Sequence, residues 1–488
     1  MELMVRDIAL LKKTISVMIG VLCVLLSLSS VALVAQVQYE PELVIISPHT
    51  KDFLDAEKLA FEKYVSSALG AKVTVLFDMQ GSPQAYGKIV EWAGKPNADI
   101  FWGGEINLYT ALVEKGLLEA HTSPATQAIP TDLQKIPLKD TAGYWVASGY
   151  VGHAIVYNLD ALKRLNAKTP EKWDDIFQPQ LKGQIVMCPP SRSSSAHINV
   201  EVKLVSKGVE QGWAFWRKTA AYIGGFVTRS GDVHDLVSKG EYAVGFGYDY
   251  RTVIDKLKGF RVDFTYSDET FFNPEGIALL KGAKNPKIAK AFIDFLLSKE
   301  GQSVAVGLGR LPVLPEIKLT GAPDTPAGML NGFLKADSVY TSKVKNVYDV
   351  ALAMKRFEEV NKIFDETITN KHAALKDAWN AIEAAQKAIT EATTKMTSME
   401  KETYDTSKVK AELNKAKDLV TASQKSFDTG DYTAAKTSAD KASDTAKASI
   451  GLAEKLPPYD LYAGIVVALV IVVAVALWYV KKKGKKQT

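Results

Sequence analysis

The residues best suited to chemistry stand where short apolar runs give way to polar turns, as in VGFGYDYRTVI at 244–254. This run ends in Tyr248, Asp249 and Tyr250, which bring two phenols and a carboxylate to one strand end. Because side chains alternate along an extended chain, Tyr248 and Tyr250 are predicted to share one side, with Asp249 on the other. Such oxygen donors suit a hard metal ion or a polar organic ligand. The stretch predicts a ligand site, and a strand merely leaving the core is the alternative.

A second polar turn, CPPSRSSSAHINVEVKLV at 188–205, gives the strongest local signal. Hydroxyl groups, backbone N–H groups and a guanidinium gathered before a helix are donors for a carboxylate or a phosphate. Ser230 opens another short helix after a strand and is a further candidate. Redundant helix caps are the structural alternative. The candidate ligands in the turn are Ser191, Arg192, Ser193, Ser194 and Ser195, with His197 beside them.

Two further junctions carry candidate ligands. Ser47 and His49 follow the apolar run LVIIS, and Gly104 and Glu105 follow DIFWG. A glycine pair at 103–104 lets a ligand approach the backbone closely. Helix capping by Ser47, and a favourable first-turn position for the acid Glu105, are the structural alternatives.

Composition and motifs exclude several classes of function. The 488 residues carry a net charge of +5, and five lysines lie within the last eight residues, so no basic face for nucleic acid is expected. Cys23 and Cys188 are the two cysteines, which leaves no cysteine-based zinc site. The sequence contains no G-x-S-x-G, H-E-x-x-H or G-x-x-x-x-G-K-[ST] motif. We therefore expect neither an enzyme nor a bound cofactor.

The elements that must position these residues alternate between strand and helix over residues 43–330. Short apolar runs lie at 43–47, 72–77, 99–103, 153–158, 184–188 and 242–248, and amphipathic segments separate them. Such alternation predicts an α/β fold with largely parallel sheets.

The composition changes after residue 345. Alanine, lysine, threonine and acidic residues dominate, and Leu375, Ile382, Ile389 and Met396 recur every seven residues. The pattern predicts a helical stalk over 346–456, with helices near 346–400, 407–427 and 431–455. We interpret it as a spacer, and an independent interaction domain is the alternative.

Both ends carry membrane signals. Residues 1–36 resemble a secretory signal and are also long enough to span a bilayer uncleaved. Residues 461–480 contain no charge and predict a transmembrane helix, followed by the basic tail 481–488. The positive-inside rule places that tail in the cytoplasm and the rest of the chain outside the cell.

The order and spacing of the α/β segments resemble the extracellular solute-binding proteins of ABC importers, in the group that includes ferric-iron binders. The matching segments are ELVIISPHT (42–50), ADIFWGGE (98–105), VGHAIVYN (151–158), TPEKWDDIFQPQLKGQIVMCPP (169–190), SKGEYAVGFGYDY (238–250) and FNPEGIALLKGAKNPKIAKAFIDFLLSKEGQ (272–302). The resemblance implies a two-lobed periplasmic-binding-protein fold that closes on a ligand. Lobe one would be 41–145 with 270–330, lobe two 146–269, and the crossovers would lie near 144–150 and 264–271.

The resemblance also bears on the ligand. Iron-binding members use two adjacent tyrosines with a histidine and a glutamate, which would make His49, Glu105, Tyr248 and Tyr250 the metal ligands. Here Asp249 separates the tyrosines, so an organic anion such as a sugar phosphate, phosphonate or carboxylate is preferred and ferric iron is the alternative. The implied partners are an ABC permease with its ATPase. A surface structural or sensory protein is the remaining alternative.

Overall fold

The computed structural model describes residues 12–20, 38–267, 269–457 and 459–484. Residues 12–20 form a helix, α1, and the rest of the predicted signal segment lies outside the described residues, as do residues 485–488 of the tail.

One sheet runs through the α/β part, in the order β2-β1-β3-β13-β7-β10-β8-β9, with β4 beside β13 and β11 beside β7. The strands of this sheet are β1 (Glu42–Ser47), β2 (Thr74–Met79), β3 (Ile100–Glu105), β4 (Leu118–Glu119), β7 (Val146–Asn158), β8 (Ile185–Met187), β9 (Ile223–Phe226), β10 (Val244–Tyr248), β11 (Val262–Thr265) and β13 (Phe272–Leu280). Two-residue strands lie outside it: β5 (Asp132–Leu133), β6 (Ile136–Pro137), β12 (Glu269–Thr270), β14 (Lys345–Asn346), β15 (Tyr404–Asp405) and β16 (Glu454–Lys455).

The helices of the α/β part follow the strands and cover the sheet. They are α2 (Lys51–Ala68), α3 (Ser82–Trp92), α4 (Ile106–Glu114), α5 (Leu159–Leu165), α6 (Ser194–Ser206), α7 (Val209–Tyr222), α8 (Ser230–Ser238), α9 (Asp249–Leu257), α10 (Pro286–Leu296), α11 (Lys299–Gly307) and α12 (Pro326–Leu334). The predicted α/β class is confirmed, and the architecture is a mixed α/β fold.

The long strand β7 joins two lobes. Its first half pairs antiparallel with β13, and its second half pairs with β10 and β11. Strands β1, β2 and β3 are parallel in lobe one, and β8, β9 and β10 are parallel in lobe two. The expectation of largely parallel strands holds inside each lobe, whereas the strands that join the lobes are antiparallel. The strand β13 was absent from the sequence-based set of strands.

The C-terminal part is helical, but it begins differently from the prediction. A single helix over 346–400 was expected, and the chain instead forms several shorter pieces before the first long helix. A wide π-helical turn at Asp365–Thr369 interrupts the helix, in a segment rich in threonine and asparagine, which have low helix propensity. The helices are α13 (Val350–Lys355), α14 (Phe357–Phe364), α15 (His372–Lys401), α16 (Ser407–Thr429), α17 (Tyr432–Ser449) and α18 (Tyr459–Gly484).

The helices α15, α16 and α17 pack against one another and also against lobe two. Phe364, Trp379 and Phe427 belong to the same buried cluster as Trp216 of α7 and Phe246 of β10. The predicted stalk is therefore a bundle with its own core that shares a second core with the binding lobe.

One helix among the described residues, at Tyr462–Lys482, is long and apolar enough to cross a membrane. None of its apolar window is buried by the rest of the protein, so its composition is compatible with a membrane anchor.

Candidate functional site

A cleft of about 490 Å³ opens between the two lobes. Its walls include the first residues of four helices: α2 and α3 from lobe one, and α6 and α8 from lobe two. The first turn of a helix presents unpaired N–H groups and the positive end of the helix dipole. Four such ends around one space make the cleft suited to an anionic ligand.

The serine-rich turn forms much of the lobe-two wall. Ser193, Ser194 and Ser195 line the cleft and are half-buried, whereas Ser191 is exposed and lies outside the lining. Ser193 also caps α6, because its hydroxyl accepts a hydrogen bond from the N–H of Ala196 at 3.5 Å. Capping thus explains Ser193 in part, whereas Ser194 and Ser195 line the cleft at the first turn of α6.

Ser230 begins α8 and meets the serine-rich turn. Its hydroxyl hydrogen-bonds that of Ser193, so the starts of α6 and α8 are in direct contact. Together they bring two sets of free N–H groups and several hydroxyls to one end of the cleft.

Three arginines reach the cleft from lobe two, and they differ in how far they are neutralised. Arg229 pairs with Asp232 at 2.7 Å, and Arg251 pairs with Asp235 and Asp255. Arg192 forms no ion pair within 4 Å in the part of the chain that the structure describes. Its guanidinium is therefore the positive charge most open to an incoming anion.

His49 lies at the lobe-one wall, but its ring nitrogens are not open. Arg310 donates from Nη2 to His49 Nδ1 at 3.0 Å and also pairs with Glu275. Because a guanidinium only donates, His49 must accept at Nδ1 and carry its proton at Nε2. Burial and the nearby Arg310 hold the pKa of His49 well below its usual range. His49 is therefore a neutral ring whose accepting nitrogen is already used.

Glycine at position 103 lets this ring sit against β3. The residue has a φ of 97°, and a Cβ there would lie only 2.7 Å from His49 Nε2. Gly104, at φ 83°, likewise leaves room for the hydroxyl of Ser82, which a Cβ would approach to 2.8 Å. Both glycines thus serve close packing beside the cleft. Ser47 lines the cleft and accepts the N–H of His49 at 3.2 Å.

The two tyrosines lie together, but alternation along a strand is not the reason, because β10 ends at Tyr248 and Tyr250 belongs to α9. The rings of Tyr248 and Tyr250 stack with centroids 5.0 Å apart. Tyr248 lines the main cleft, whereas Tyr250 lies in a small neighbouring pocket beneath Arg310, whose guanidinium is 3.6 Å from its ring. Arg310 of lobe one thus makes a cation–π contact with Tyr250 of lobe two, which joins the two lobes.

Asp249 points away from the cleft. Its carboxylate accepts hydrogen bonds from Gly152 N–H at 2.9 Å, from the Tyr266 hydroxyl at 2.7 Å and from Tyr250 N–H at 2.7 Å. Burial raises its pKa to about 7. The structure gives Asp249 the role of joining α9 to the long strand β7, and the side chain is absent from the cleft lining.

Glu105 is buried at the end of β3, behind the cleft. Asn107, Ser194 and Tyr348 surround its carboxyl, yet neither oxygen makes a hydrogen bond of standard geometry with another described residue. Burial raises the pKa of Glu105 to about 8, so the carboxyl is mostly protonated at neutral pH. A metal ion needs an ionised carboxylate and an open imidazole nitrogen. Glu105 is mostly protonated and the accepting nitrogen of His49 is bonded to Arg310, so the two side chains are poor metal ligands.

No group of three or more histidine, cysteine, aspartate or glutamate side chains is placed to hold a metal among the residues that the structure describes. A buried guanidinium stands between His49 and Tyr250. Such a fixed positive charge opposes binding of a cation at this place.

The sequence-based set of site residues was incomplete. The turn at Gln80, Gly81 and Ser82 lines the cleft and carries the same pattern as the other junctions, a strand exit followed by a helix start. That pattern could have identified it. Arg310, in contrast, lies in a loop after α11 with no local signal, and only the packing brings it to His49.

Comparison with known proteins supports the fold and shows which proteins the chain resembles. Residues 95–330 match the family model of bacterial extracellular solute-binding proteins. The chain is 29% identical over 260 residues to the phosphoglycerate transport regulatory protein PgtC of Salmonella typhimurium, which covers 53% of this chain. The chain spans 62% of the length of that relative.

Solved structures of periplasmic binding proteins are similar to the α/β part of this chain. The periplasmic binding protein AfuA of Actinobacillus pleuropneumoniae, solved with fructose 6-phosphate, is 26% identical, with a TM-score of 0.56, over 67% of this chain and 98% of its own. Iron-bound HitA of Pseudomonas aeruginosa is 18% identical, with a TM-score of 0.52, over 66% and 99% respectively. The likeness to HitA concerns the fold alone.

Proposed function

We propose that the α/β part of the chain is an extracellular solute-binding protein, a non-enzymatic transport component, and that it captures a small phosphorylated organic anion for an ABC permease. Residues 95–330 match the family model of such proteins. The observation that carries this proposal is the meeting of four helix N-termini, several serine hydroxyls and the unpaired Arg192 around one cleft. These groups are all donors, and their geometry suits the several acceptor oxygens of a phosphate.

Two comparisons support the same ligand class. AfuA was solved with fructose 6-phosphate, and PgtC is named for phosphoglycerate transport. Carboxylate and phosphonate groups present similar acceptor oxygens, so they belong to the same proposed class. The full delivery system, with a permease, an ATPase and a membrane tether through α18, is part of the proposal.

Ferric iron is the less favoured ligand for this cleft. The iron set proposed from the resemblance was His49, Glu105, Tyr248 and Tyr250. In this arrangement Arg310 occupies the accepting nitrogen of His49, and burial keeps Glu105 protonated. Iron binding would require His49 to give up its hydrogen bond from Arg310 and Glu105 to give up its proton. Both changes cost free energy and therefore oppose iron binding.

The first test is a thermal-shift panel on the full chain in detergent. The panel contains fructose 6-phosphate, 3-phosphoglycerate, inorganic phosphate, neutral fructose and ferric citrate. A ligand that binds only the folded state at 100 times its Kd stabilises it by about 2.7 kcal/mol. Phosphorylated compounds are expected to raise Tm and fructose is not. A rise with ferric citrate together with a visible tyrosinate–iron band would overturn the proposal.

The second test removes the open charge. We expect Arg192→Ala to weaken binding of the phosphorylated solute by about tenfold or more, because a charge-assisted hydrogen bond contributes on the order of 1.5–3 kcal/mol. Arg261→Ala is the matched control, since that side chain is 69% exposed and does not line the cleft. Isothermal titration calorimetry measures both. Equal affinities for the two variants would remove Arg192 from the site.

A further inference from the structure

The segment that leads from α12 to the bundle does more than connect them. We name residues 338–361 the clamp segment. Its first part is fixed to lobe one and to the strand β7: the Tyr340 hydroxyl donates to Val313 O at 2.6 Å and accepts from the Tyr150 hydroxyl at 2.8 Å. The N–H of Asn346 donates to Gln134 Oε1 at 3.0 Å.

The middle of the clamp segment runs along the junction between the lobes. Its strand β14 pairs with β12, and Val347 N–H donates to Thr270 O at 2.9 Å. Tyr348 stacks on Phe271 with ring centroids 4.2 Å apart and reaches Glu105 at the end of β3. The clamp segment therefore adds a third crossing beside β7 and the chain between β11 and β13.

The last part of the clamp segment is bound to lobe two through α6. Arg356 Nε donates to both carboxylate oxygens of Glu201 at 2.9 Å, and Nη2 donates to the same group. Glu201 is fully buried. His197 Nδ1 lies 3.0 Å from Asn361 Oδ1, and the His197 ring packs on Phe357. Both His197 and Glu201 lie on α6, one turn apart.

The helix α6 is also the one whose first turn carries Ser193, Ser194 and Ser195. A rigid helix moves as one piece, so whatever fixes Glu201 also fixes the serine hydroxyls two turns before it. A buried ion pair holds its two partners in a fixed geometry. Loss of one partner is destabilising because it leaves an unpaired buried charge. The contact between Arg356 and Glu201 is thus placed to hold the solute-binding turn.

We propose that Arg356 is a positioning residue for solute binding, and that the clamp segment sets the angle between the lobes. Arg356 acts through Glu201 and does not touch the solute. The effect on affinity rests on the proposed function of the cleft, whereas the effect on lobe angle does not. Because the clamp segment continues directly into the bundle, opening and closing of the lobes is coupled to the part of the chain next to α18.

The decisive experiment measures the lobe angle without any solute. Fluorescent labels are placed on the full chain in detergent through Lys63→Cys on lobe one and Lys239→Cys on lobe two, both exposed. Cys23→Ser is included, and Cys188 is buried. Single-molecule energy transfer then gives the distribution of distances between the lobes.

The variants separate positioning from folding. Arg356→Met leaves Glu201 unpaired, so Arg356→Met/Glu201→Gln is the main variant because it leaves no buried charge behind. We expect the double variant to shift or broaden the distance distribution. Arg356→Lys, made with Glu201 intact, keeps a positive charge beside the carboxylate and is expected to give a distribution closer to that of the parent. Lys408→Met is the control, since it breaks an exposed pair with Glu454 in the bundle. A folded double variant with the parent distribution would overturn the proposal.

The solute arm uses fructose 6-phosphate and inorganic phosphate as probes. The double variant is expected to release a bound probe about tenfold faster, with a smaller change in the association rate. An altered distance distribution with unchanged release would overturn the positioning role of Arg356. If neither probe binds the parent chain, the proposed ligand class fails, while the solute-free distances still decide whether the clamp segment sets the lobe angle.

Discussion

At the scale of single residues, neighbours decide what a side chain can bind. His49 stands where the family resemblance placed a metal ligand, yet Arg310 uses its Nδ1 and keeps the ring neutral. Asp249 stands between the two tyrosines, yet its carboxylate is fully used by Gly152 and Tyr266. Both residues therefore shape the cleft without offering free groups to it.

The buried Glu105 gives a prediction for pH dependence. Its pKa is raised from 4.5 to about 8 by burial, so the folded state keeps a proton that the unfolded state has lost between those values. Stability from this group is full below about pH 4.5 and is lost as the pH rises to about 8. Replacing the Glu105 carboxyl by a group that does not ionise removes this pH-dependent loss of stability.

We therefore expect Glu105→Gln to be more stable than the parent at pH 8 and equal to it at pH 4. The gap grows by up to about 1.4 kcal/mol for each pH unit in that window. Chemical denaturation across pH measures it. Glu114→Gln, which replaces an exposed acid at the end of α4, is the matched control. A constant gap at all pH values would contradict the raised pKa.

At the scale of elements, the start of a helix is the unit from which the cleft is built. Short apolar strands deliver α2, α3, α6 and α8 to one space, and each begins with small or polar residues that leave its N–H groups accessible. The bundle is the second structural unit. Phe427 of the bundle and Phe364, which ends the preceding helix α14, share a core with Trp216 of lobe two, so the bundle is joined to the binding lobe by packing as well as by the chain.

This packing predicts a shared unfolding transition. Phe364 is fully buried, with its ring centroid 6.4 Å from Trp216 and 6.2 Å from Phe226. Phe364→Ala is expected to cost about 3–5 kcal/mol through lost packing and a cavity. Leu352→Ala, at a 40% exposed position, is the control and is expected to change stability by less than about 0.5 kcal/mol.

Calorimetry of the full chain decides how the bundle relates to lobe two. Because the two share a core, Phe364→Ala is expected to lower the melting temperature of the main transition. A separate bundle transition that moves alone, with the lobes unaffected, would instead support the independent interaction domain.

At the scale of the whole molecule, the order of parts is a binding body, a docked bundle and an apolar helix. The helix at Tyr462–Lys482 has a mean hydropathy of 2.8 and no burial against the rest of the chain. Such a surface is costly in water, which favours a lipid environment. In the proposed membrane-tethered arrangement, the bundle would lie between the membrane and lobe two.

A truncation tests this arrangement. A chain ending after Pro457 is expected to lose carbonate-resistant membrane association while retaining the melting temperature of the binding body. The full chain, fractionated in parallel, is the control. Membrane retention of the truncated chain would show that the segment before residue 37 anchors it, and α18 would then not be the sole tether.

The sequence by itself determined the α/β class, the alternation of strands with helices and the apolar helix near the C-terminus. These features depend on hydrophobic periodicity and on residues at element ends, and both are local. The tertiary structure alone decided the partner of His49, because Arg310 lies 261 positions away along the chain. It also decided that the clamp segment binds α6, because the pairing of Arg356 with Glu201 joins residues 155 apart. Contacts of that range follow from how the lobes pack, and no local pattern encodes them.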